Sequence, residues 1–134
     1  MAHMGLTEAE WQVMECLWAA APRTGRAIID ALHETTGWSR STTLTLLRRL
    51  EDKGAVSAES EGGVKRYRPQ VAREDAAVQE TEHLLERMYQ GSVSLMVSSL
   101  VKKQTLSQEE IDKLYAILRE VEEAVSYTHL TLPT

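Results

Sequence analysis

The segment Trp38–Gly54, WSRSTTLTLLRRLEDKG, predicts a helix with two unlike faces. Ser39 is suited to cap its N-terminus, because a serine hydroxyl can accept from the free backbone N–H groups there. Gly54 can end the helix in the left-handed conformation. Three leucines recur at helical spacing and predict one buried stripe, formed by Leu44, Leu47 and Leu50.

The other face of this helix carries hydroxyl and guanidinium groups, with no acid before Glu51. Its members are Arg40, Ser41, Thr42, Thr45, Arg48 and Arg49. A helix that reads DNA needs small side chains near the groove floor, arginines for guanine edges or phosphates, and a positive N-terminal dipole. An ordinary amphipathic helix with a solvated polar face fits the segment equally well. The segment alone therefore leaves both interpretations open.

After this helix the apolar period changes from 3.6 to 2, which predicts a β-hairpin. The runs Ala55–Glu61 and Val64–Arg68 flank Gly62-Gly63, a two-residue turn signal, and Pro69 is expected to stop the second strand.

The second strand of this hairpin is basic, with Lys65, Arg66 and Arg68. A hairpin beside a recognition helix can contact the neighbouring DNA backbone or minor groove. Tyr67 alternates to the opposite face and is expected to anchor the hairpin in the core.

Two shorter helices are predicted before the opening segment. Thr7 and Glu10 form a capping box, and the stripe that follows comprises Trp11, Met14, Leu17 and Trp18. This helix should end before Pro22. Thr24 can cap a second helix that ends near Gly37 and carries Ile28, Ile29 and Leu32. Three helices followed by a basic hairpin predict a winged helix over residues 6–72.

Residues 73–124 predict amphipathic helices with a break at Gly91-Ser92 and a second capping box from Ser107 to Glu110. Such helices have no third partner of their own, so we expect them to form a homodimer interface. The expected dimerisation residues are Leu85, Met88, Met96, Leu100, Leu114 and Leu118. In the alternative arrangement, these helices fold back on the winged helix. The expected fold class is mainly α with a small β-hairpin.

The net charge of −5 is distributed unevenly along the chain. Residues 1–72 hold nine basic and nine acidic residues, whereas residues 73–134 hold six and eleven, so the excess lies in the second half. Residues 40–68 hold seven basic residues against four acids. This local positive charge is what phosphate contact requires.

The composition also bears on compartment and on the ends of the chain. Cys16 is the one cysteine and cannot form an internal disulfide, and no apolar run is long enough to span a bilayer, so we expect a cytoplasmic location without membrane contact.

Residues 1–4 and 126–134 resemble cloning or vector sequence, so His3 and His129 are not considered as site residues. His33 is expected to be a surface residue and not a metal ligand. We expect no cofactor and no metal site.

The chain resembles the BlaI/MecI family of penicillinase and methicillin-resistance repressors over roughly residues 6–123. The resembling segments are LTEAEWQVMECLW, WSRSTTLTLLRRLEDKGAV, GGVKRYRP, ERMYQGS and LSQEEIDKLYAIL. The resemblance implies base contacts by Ser41, Thr42 and Thr45, with Arg49 beside the backbone or a base edge. It also implies dimers on inverted-repeat operators of the TACA/TGTA type and repression of a promoter.

The same resemblance implies inactivation by a regulatory protease in the dimerisation helix, at Ser99-Leu100. Family members with the best-known switch have Asn-Phe there, so the cleavage site can differ in this chain. Arg40-Ser41 stands where members often have Pro-Lys, which moves one cation by a residue. The related copper-responsive repressors have a C-terminal cysteine pair that this sequence lacks.

The sequence thus favours a DNA-binding repressor with double-stranded operator DNA as partner. Its expected DNA-binding residues are Arg40, Ser41, Thr42, Thr45, Arg48, Arg49, Lys65 and Arg66. A winged helix used as a protein-interaction module and a ligand- or metal-responsive regulator are the alternatives. An enzyme is disfavoured, because the sequence has no nucleophile–base pair at readable spacing, no glycine-rich phosphate loop and no metal cluster.

Overall fold

The computed structural model describes the backbone of residues 4–131 and the side chains of residues 4–125. In chain order the elements are α1 (Glu8–Ala19), β1 (Arg23–Thr24), α2 (Gly25–Thr36), α3 (Arg40–Asp52), β2 (Val56–Glu61), β3 (Val64–Pro69), α4 (Arg73–Tyr89), α5 (Val93–Lys102) and α6 (Gln108–Thr131). The chain divides into two compact units between Arg87 and Met88. The first unit has the winged-helix order of elements predicted from the sequence.

The three helices before the hairpin are capped at the residues that the sequence indicated. Thr7 and Glu10 form the complete capping box of α1. Thr24 caps α2, and Gly37 ends it with a left-handed backbone at φ 77°. Ser39 caps α3 by accepting from the backbone N–H of Thr42. These side chains satisfy N–H groups that the first turn of a helix leaves without a partner.

The sheet has three antiparallel strands in the order β1-β3-β2, one strand more than the predicted hairpin. The additional strand β1 pairs Arg23 with Tyr67 and Thr24 with Arg66. It is two residues long, which is too short to produce a period-2 pattern in the sequence. The second strand of the hairpin was predicted to end at Arg68, but β3 includes Pro69 as its last residue. Pro69 belongs to the strand because it pairs with Val56, the first residue of β2.

The core lies where α1, α2 and α3 meet the sheet, and Tyr67 anchors the hairpin there with 5% of its surface exposed, as expected. The predicted stripe of α3 was partly wrong. Thr43 and Leu46 are buried together with Leu47 and Leu50, whereas Leu44 is only partly buried. In α1, likewise, Val13 and Glu10 are buried beside Met14 and Leu17, whereas Trp11 and Trp18 are only partly buried. The 3.6-residue period gives the spacing of a stripe but does not fix its centre.

The beginning of α4 is bound to α1 by polar contacts within the first unit. Arg73 donates to both carboxylate oxygens of Glu15, at 2.7 and 3.1 Å, and its guanidinium lies 5.8 Å from the ring centroid of Trp11. The indole N–H of Trp18 donates to the backbone carbonyl of Val71 at 2.9 Å. The segment after the wing is therefore part of the first compact unit.

The second unit begins at Met88, near the end of α4, and contains α5 and α6. The helix break at Gly91-Ser92 is present, and Ser107 accepts from the backbone N–H of Glu110, as the predicted cap requires. The backbone stays helical to Thr131, so α6 continues into the segment 126–134 that resembles vector sequence. Of the suspected foreign ends, residues 1–3, with His3, and 132–134 lie outside the described residues. So do the side chains after residue 125, including that of His129.

An apolar groove of about 650 Å³ runs between α5 and α6. Among its lining residues are Val93, Val97, Leu114, Tyr115 and Leu118. Tyr115 and Leu118 are 61% and 59% exposed. The second unit therefore leaves much of its apolar surface in contact with solvent.

Candidate nucleic-acid interface

The first turn of α3 is built around the hydroxyl of Ser39. This oxygen accepts from the backbone N–H of Thr42 at 3.3 Å and lies within 3.2 Å of the hydroxyls of Ser41 and Thr42. All three side chains are exposed. The helix therefore begins with a cluster of small hydrogen-bonding groups at its positive end, a surface that can approach base edges or phosphates closely.

Thr45 lies one turn further along the same exposed face. Its hydroxyl donates to the backbone carbonyl of Ser41 at 2.9 Å, which fixes the direction of the side chain. The oxygen lone pairs and the methyl group remain available to a base edge. Thr45 thus extends the hydroxyl surface along the helix.

Three arginines surround these hydroxyl groups and make no ion pair with the side chains described here: Arg40, Arg48 and Arg49. All three are exposed. An arginine without an internal partner offers its full charge and five N–H donors to a ligand. This arrangement suits phosphate oxygens or a guanine edge.

Lys53, which the sequence grouped with the basic residues of this region, has a different role. Its ammonium lies 2.6 Å from Oε1 of Glu10 and donates to the backbone carbonyl of Gly5 at 2.7 Å. Burial raises the pKa of Glu10, but hydrogen bonds from Lys53 and Thr7 outweigh this effect, so the pKa lies below its ordinary value. Lys53 therefore binds the end of α3 to the start of α1.

The hairpin presents its two expected DNA-binding cations on opposite faces of the sheet. Lys65 shares a face with Tyr67, lies 5.5 Å from its ring centroid, and pairs with Glu51 of α3 at 3.3 Å. This hydrogen bond with Glu51 raises the pKa of Lys65. Arg66 points to the other face and pairs with Glu61 at 3.7 Å. Both wing cations are thus paired with carboxylates in the free protein.

The structure therefore places the six expected α3 residues on one exposed surface and leaves the two wing residues in surface ion pairs. The ion pair between Lys65 and Glu51 could not be predicted from the sequence. Fourteen positions separate them, and a sequence cannot indicate which face of a strand meets which helix end. Glu51, the first acid after the arginines of α3, shows only that a carboxylate is available at that end of the helix.

The described residues contain neither a candidate metal site nor a candidate membrane span. Among the described residues, no group of three histidine, cysteine or acidic side chains could hold a metal ion. Within the same part of the chain, no helix is long and apolar enough to cross a membrane.

The three helices, the wing and the exposed basic face of α3 define a winged helix-turn-helix protein of the DNA-binding class. The sequence profile of the penicillinase repressor family matches residues 6–120. The chain belongs to this family. The resemblance to the BlaI/MecI repressors is thereby confirmed.

Individual relatives agree with this assignment. The chain is 35% identical over 115 residues to the penicillinase repressor of Bacillus licheniformis, covering 86% of this chain and 90% of that protein. It is 29% identical over 115 residues to the methicillin resistance regulatory protein MecI of Staphylococcus aureus strain N315, covering 86% and 94%. The solution structure of the DNA-binding domain of the repressor BlaI matches with a TM-score of 0.51 and 32% identity, over 55% of this chain and 90% of that one. Two of these three relatives are named as repressors and the MecI relative as a regulatory protein.

Proposed function

We propose that this protein is a homodimeric transcriptional repressor that binds double-stranded DNA at an inverted-repeat operator of the TACA/TGTA type. The observation that carries the proposal is the exposed face of α3, where small hydroxyl groups are surrounded by arginines without internal ion pairs. A protein-docking surface gains nothing from such a face, whereas DNA offers both phosphates and base edges to it.

The residues of α3 divide between two kinds of contact. Ser41, Thr42 and Thr45 read base edges, because their side chains are short enough to approach the groove floor. Arg40 and Arg48 neutralise phosphates, and Arg49 contacts the backbone or a base edge. Lys65 and Arg66 add phosphate contacts from the wing, once each exchanges its carboxylate for a phosphate.

The apolar surface of the second unit supports the homodimer. Exposed apolar patches of this kind commonly mark protein–protein interfaces, and a helix-turn-helix protein commonly reads paired half-sites as a two-fold dimer. Among the residues expected to form the interface, Met88 and Leu118 are largely exposed, whereas Met96, Leu100 and Leu114 are partly buried. Leu85 is buried within the single chain, so it contributes less to a second copy.

Release of the operator follows from cleavage of α5 by a regulatory protease at Ser99-Leu100. Both residues are partly buried in the helix, so local unwinding precedes cleavage. A cut there separates α6 from the reading helix, weakens the dimer and removes the affinity gained from two linked half-sites.

Footprinting on the promoter of its own gene tests the proposal directly. The expected result is a protected inverted repeat with two half-sites about one helical turn apart or a multiple of it. A gel shift with that duplex and with a shuffled duplex of the same base composition provides the control. Equal retention of both duplexes would favour the protein-interaction alternative.

A further inference from the structure

The turn between α2 and α3 is held by side chains whose role the sequence did not indicate. Gly37, in the left-handed conformation, donates its N–H to the backbone carbonyl of His33 at 2.9 Å. The hydroxyl of Thr36 donates to the carbonyl of Leu32 at 2.6 Å and accepts from the N–H of Trp38 at 3.2 Å. The turn is therefore connected at several points to the last turn of α2.

His33 makes one further contact across this turn. Its ring nitrogen Nδ1 lies 3.0 Å from the backbone carbonyl oxygen of Trp38. A carbonyl oxygen can only accept a hydrogen bond, so Nδ1 must carry a proton and act as the donor. Trp38 precedes the N-cap Ser39, so this bond fixes the peptide that leads into the reading helix.

We propose that His33 is a positioning residue for DNA recognition, which acts by holding the Trp38 carbonyl and thereby the first turn of α3. The inference rests on the proposed function, because it concerns the placement of Ser41 and Thr42 at base edges. His33 itself contacts no DNA in this scheme. Phosphate contacts tolerate a small displacement of the helix, whereas hydrogen bonds to base edges do not.

Two substitutions distinguish this role from a general structural one. His33→Asn keeps an amide N–H the same number of bonds from the backbone as Nδ1. His33→Gln moves the amide one bond further out, towards the position of Nε2. Glutamine has the higher helix propensity of the two, so a defect confined to His33→Gln cannot come from a weakened α2.

The measurement is the ratio of affinities of the full chain for a duplex with two TACA/TGTA half-sites and for a shuffled duplex. We expect His33→Asn to keep the ratio of the unmodified protein. His33→Gln should lower it about threefold to tenfold, the range of one ordinary hydrogen bond, while affinity for the shuffled duplex is unchanged. Equal ratios for both variants, whether kept or lowered, would overturn the inference.

Hydrogen exchange of the backbone N–H groups of Thr42 and Thr43 provides a second readout without DNA. His33→Gln should speed their exchange and His33→Asn should not, because only the former releases the turn before Ser39. Unchanged exchange in His33→Gln would overturn the inference. If the proposed function is wrong, the unmodified protein itself will show no preference for the operator duplex. The hydrogen-exchange result would still test whether His33 holds the turn before Ser39.

Discussion

The ammonium of Lys53 lies 2.6 Å from Oε1 of Glu10 and joins the end of α3 to the start of α1. Glu10 is fully buried, whereas the Lys53 side chain is 29% exposed. The same carboxylate oxygen accepts from the backbone N–H of Thr7 at 2.8 Å. One ion pair thus connects the cap of α1 with the placement of α3.

Replacing Lys53 with methionine should destabilise the protein by about 2 kcal/mol. The substitution leaves the Glu10 carboxylate buried without its counter-charge, a change that costs about 3–5 kcal/mol for fully buried pairs. The partial exposure of Lys53 reduces this cost. Urea denaturation followed by far-UV circular dichroism measures the difference in the free energy of unfolding.

The double variant Glu10→Gln/Lys53→Met provides the control for this prediction. A glutamine can still accept from Thr7, and no charge is then left buried. We expect the double variant to be more stable than Lys53→Met alone. Stability equal to or below that of Lys53→Met would show that the buried charge is not the source of the cost.

The pKa of Glu10 predicts loss of stability in acid. Burial raises this pKa, but the hydrogen bonds from Lys53 and Thr7 lower it further, so its value in the folded state is depressed. The contribution of the carboxylate is then complete above the unfolded value of about 4.3 and is lost as the pH falls through the folded value. The stability advantage over Glu10→Gln should accordingly shrink as the pH falls below about 5. A constant advantage across that range would contradict the assignment.

The sequence predicted the local features of the first unit better than its long-range contacts. Thr7, Thr24 and Ser39 could be identified as caps because a cap depends on residues three positions apart. The pairing of Glu10 with Lys53 could not, because it joins positions 43 residues apart whose approach depends on the packed core. On sequence alone, Lys53 is indistinguishable from a phosphate-binding lysine.

The wing shows a second limit of the sequence. Successive residues of a strand point to opposite faces, so the sequence is enough to predict that Lys65 and Arg66 lie on opposite faces of the hairpin. Their pairing with Glu51 and Glu61 was not, since it depends on where the hairpin lies relative to α3. The strand β1 escaped detection because its two residues gain their strand character from the partner β3.

The exposed face of α3 predicts that Thr45→Ala combined with Arg49→Ala weakens operator binding at least tenfold. Each base contact contributes about 1–3 kcal/mol of discrimination, and both side chains are exposed, so the melting temperature should change little. Gel shifts at fixed salt measure the affinity. Arg119→Ala, on the exposed surface of α6, serves as the control. Unchanged operator affinity of the double variant would remove α3 as the reading helix.

Arg48 makes no ion pair with the described side chains, whereas Lys65 is paired with Glu51. We therefore expect substitutions of these two residues to change the salt dependence of DNA binding by different amounts. Arg48→Met should reduce the slope of log K against log salt by about 0.9 for each bound copy, because it removes one phosphate contact. Lys65→Met should reduce the slope by less. When Lys65 moves from Glu51 to a phosphate, the DNA releases a cation but Glu51 takes one up, so the contact of Lys65 contributes little to the net release of ions. Binding measured between about 50 and 200 mM salt gives these slopes. A larger effect for Lys65→Met would contradict the role of the Lys65–Glu51 pair.

The groove between α5 and α6 predicts that Leu118→Asp converts the proposed dimer into a monomer. Leu118 lines this groove and is largely exposed in the single chain, so an added carboxylate would be buried unpaired only when a second copy covers it. Arg119→Gln is the matched control, because it also lowers the net charge by one on the same helix. Sedimentation equilibrium should show a monomer for Leu118→Asp and a dimer for Arg119→Gln, with equal helix content by circular dichroism.

Affinity for a single half-site should then be the same in both variants. Affinity for the full operator should fall only in Leu118→Asp, because its two half-sites are no longer bound by one linked dimer. A Leu118→Asp protein that stays dimeric would place the interface elsewhere on the chain.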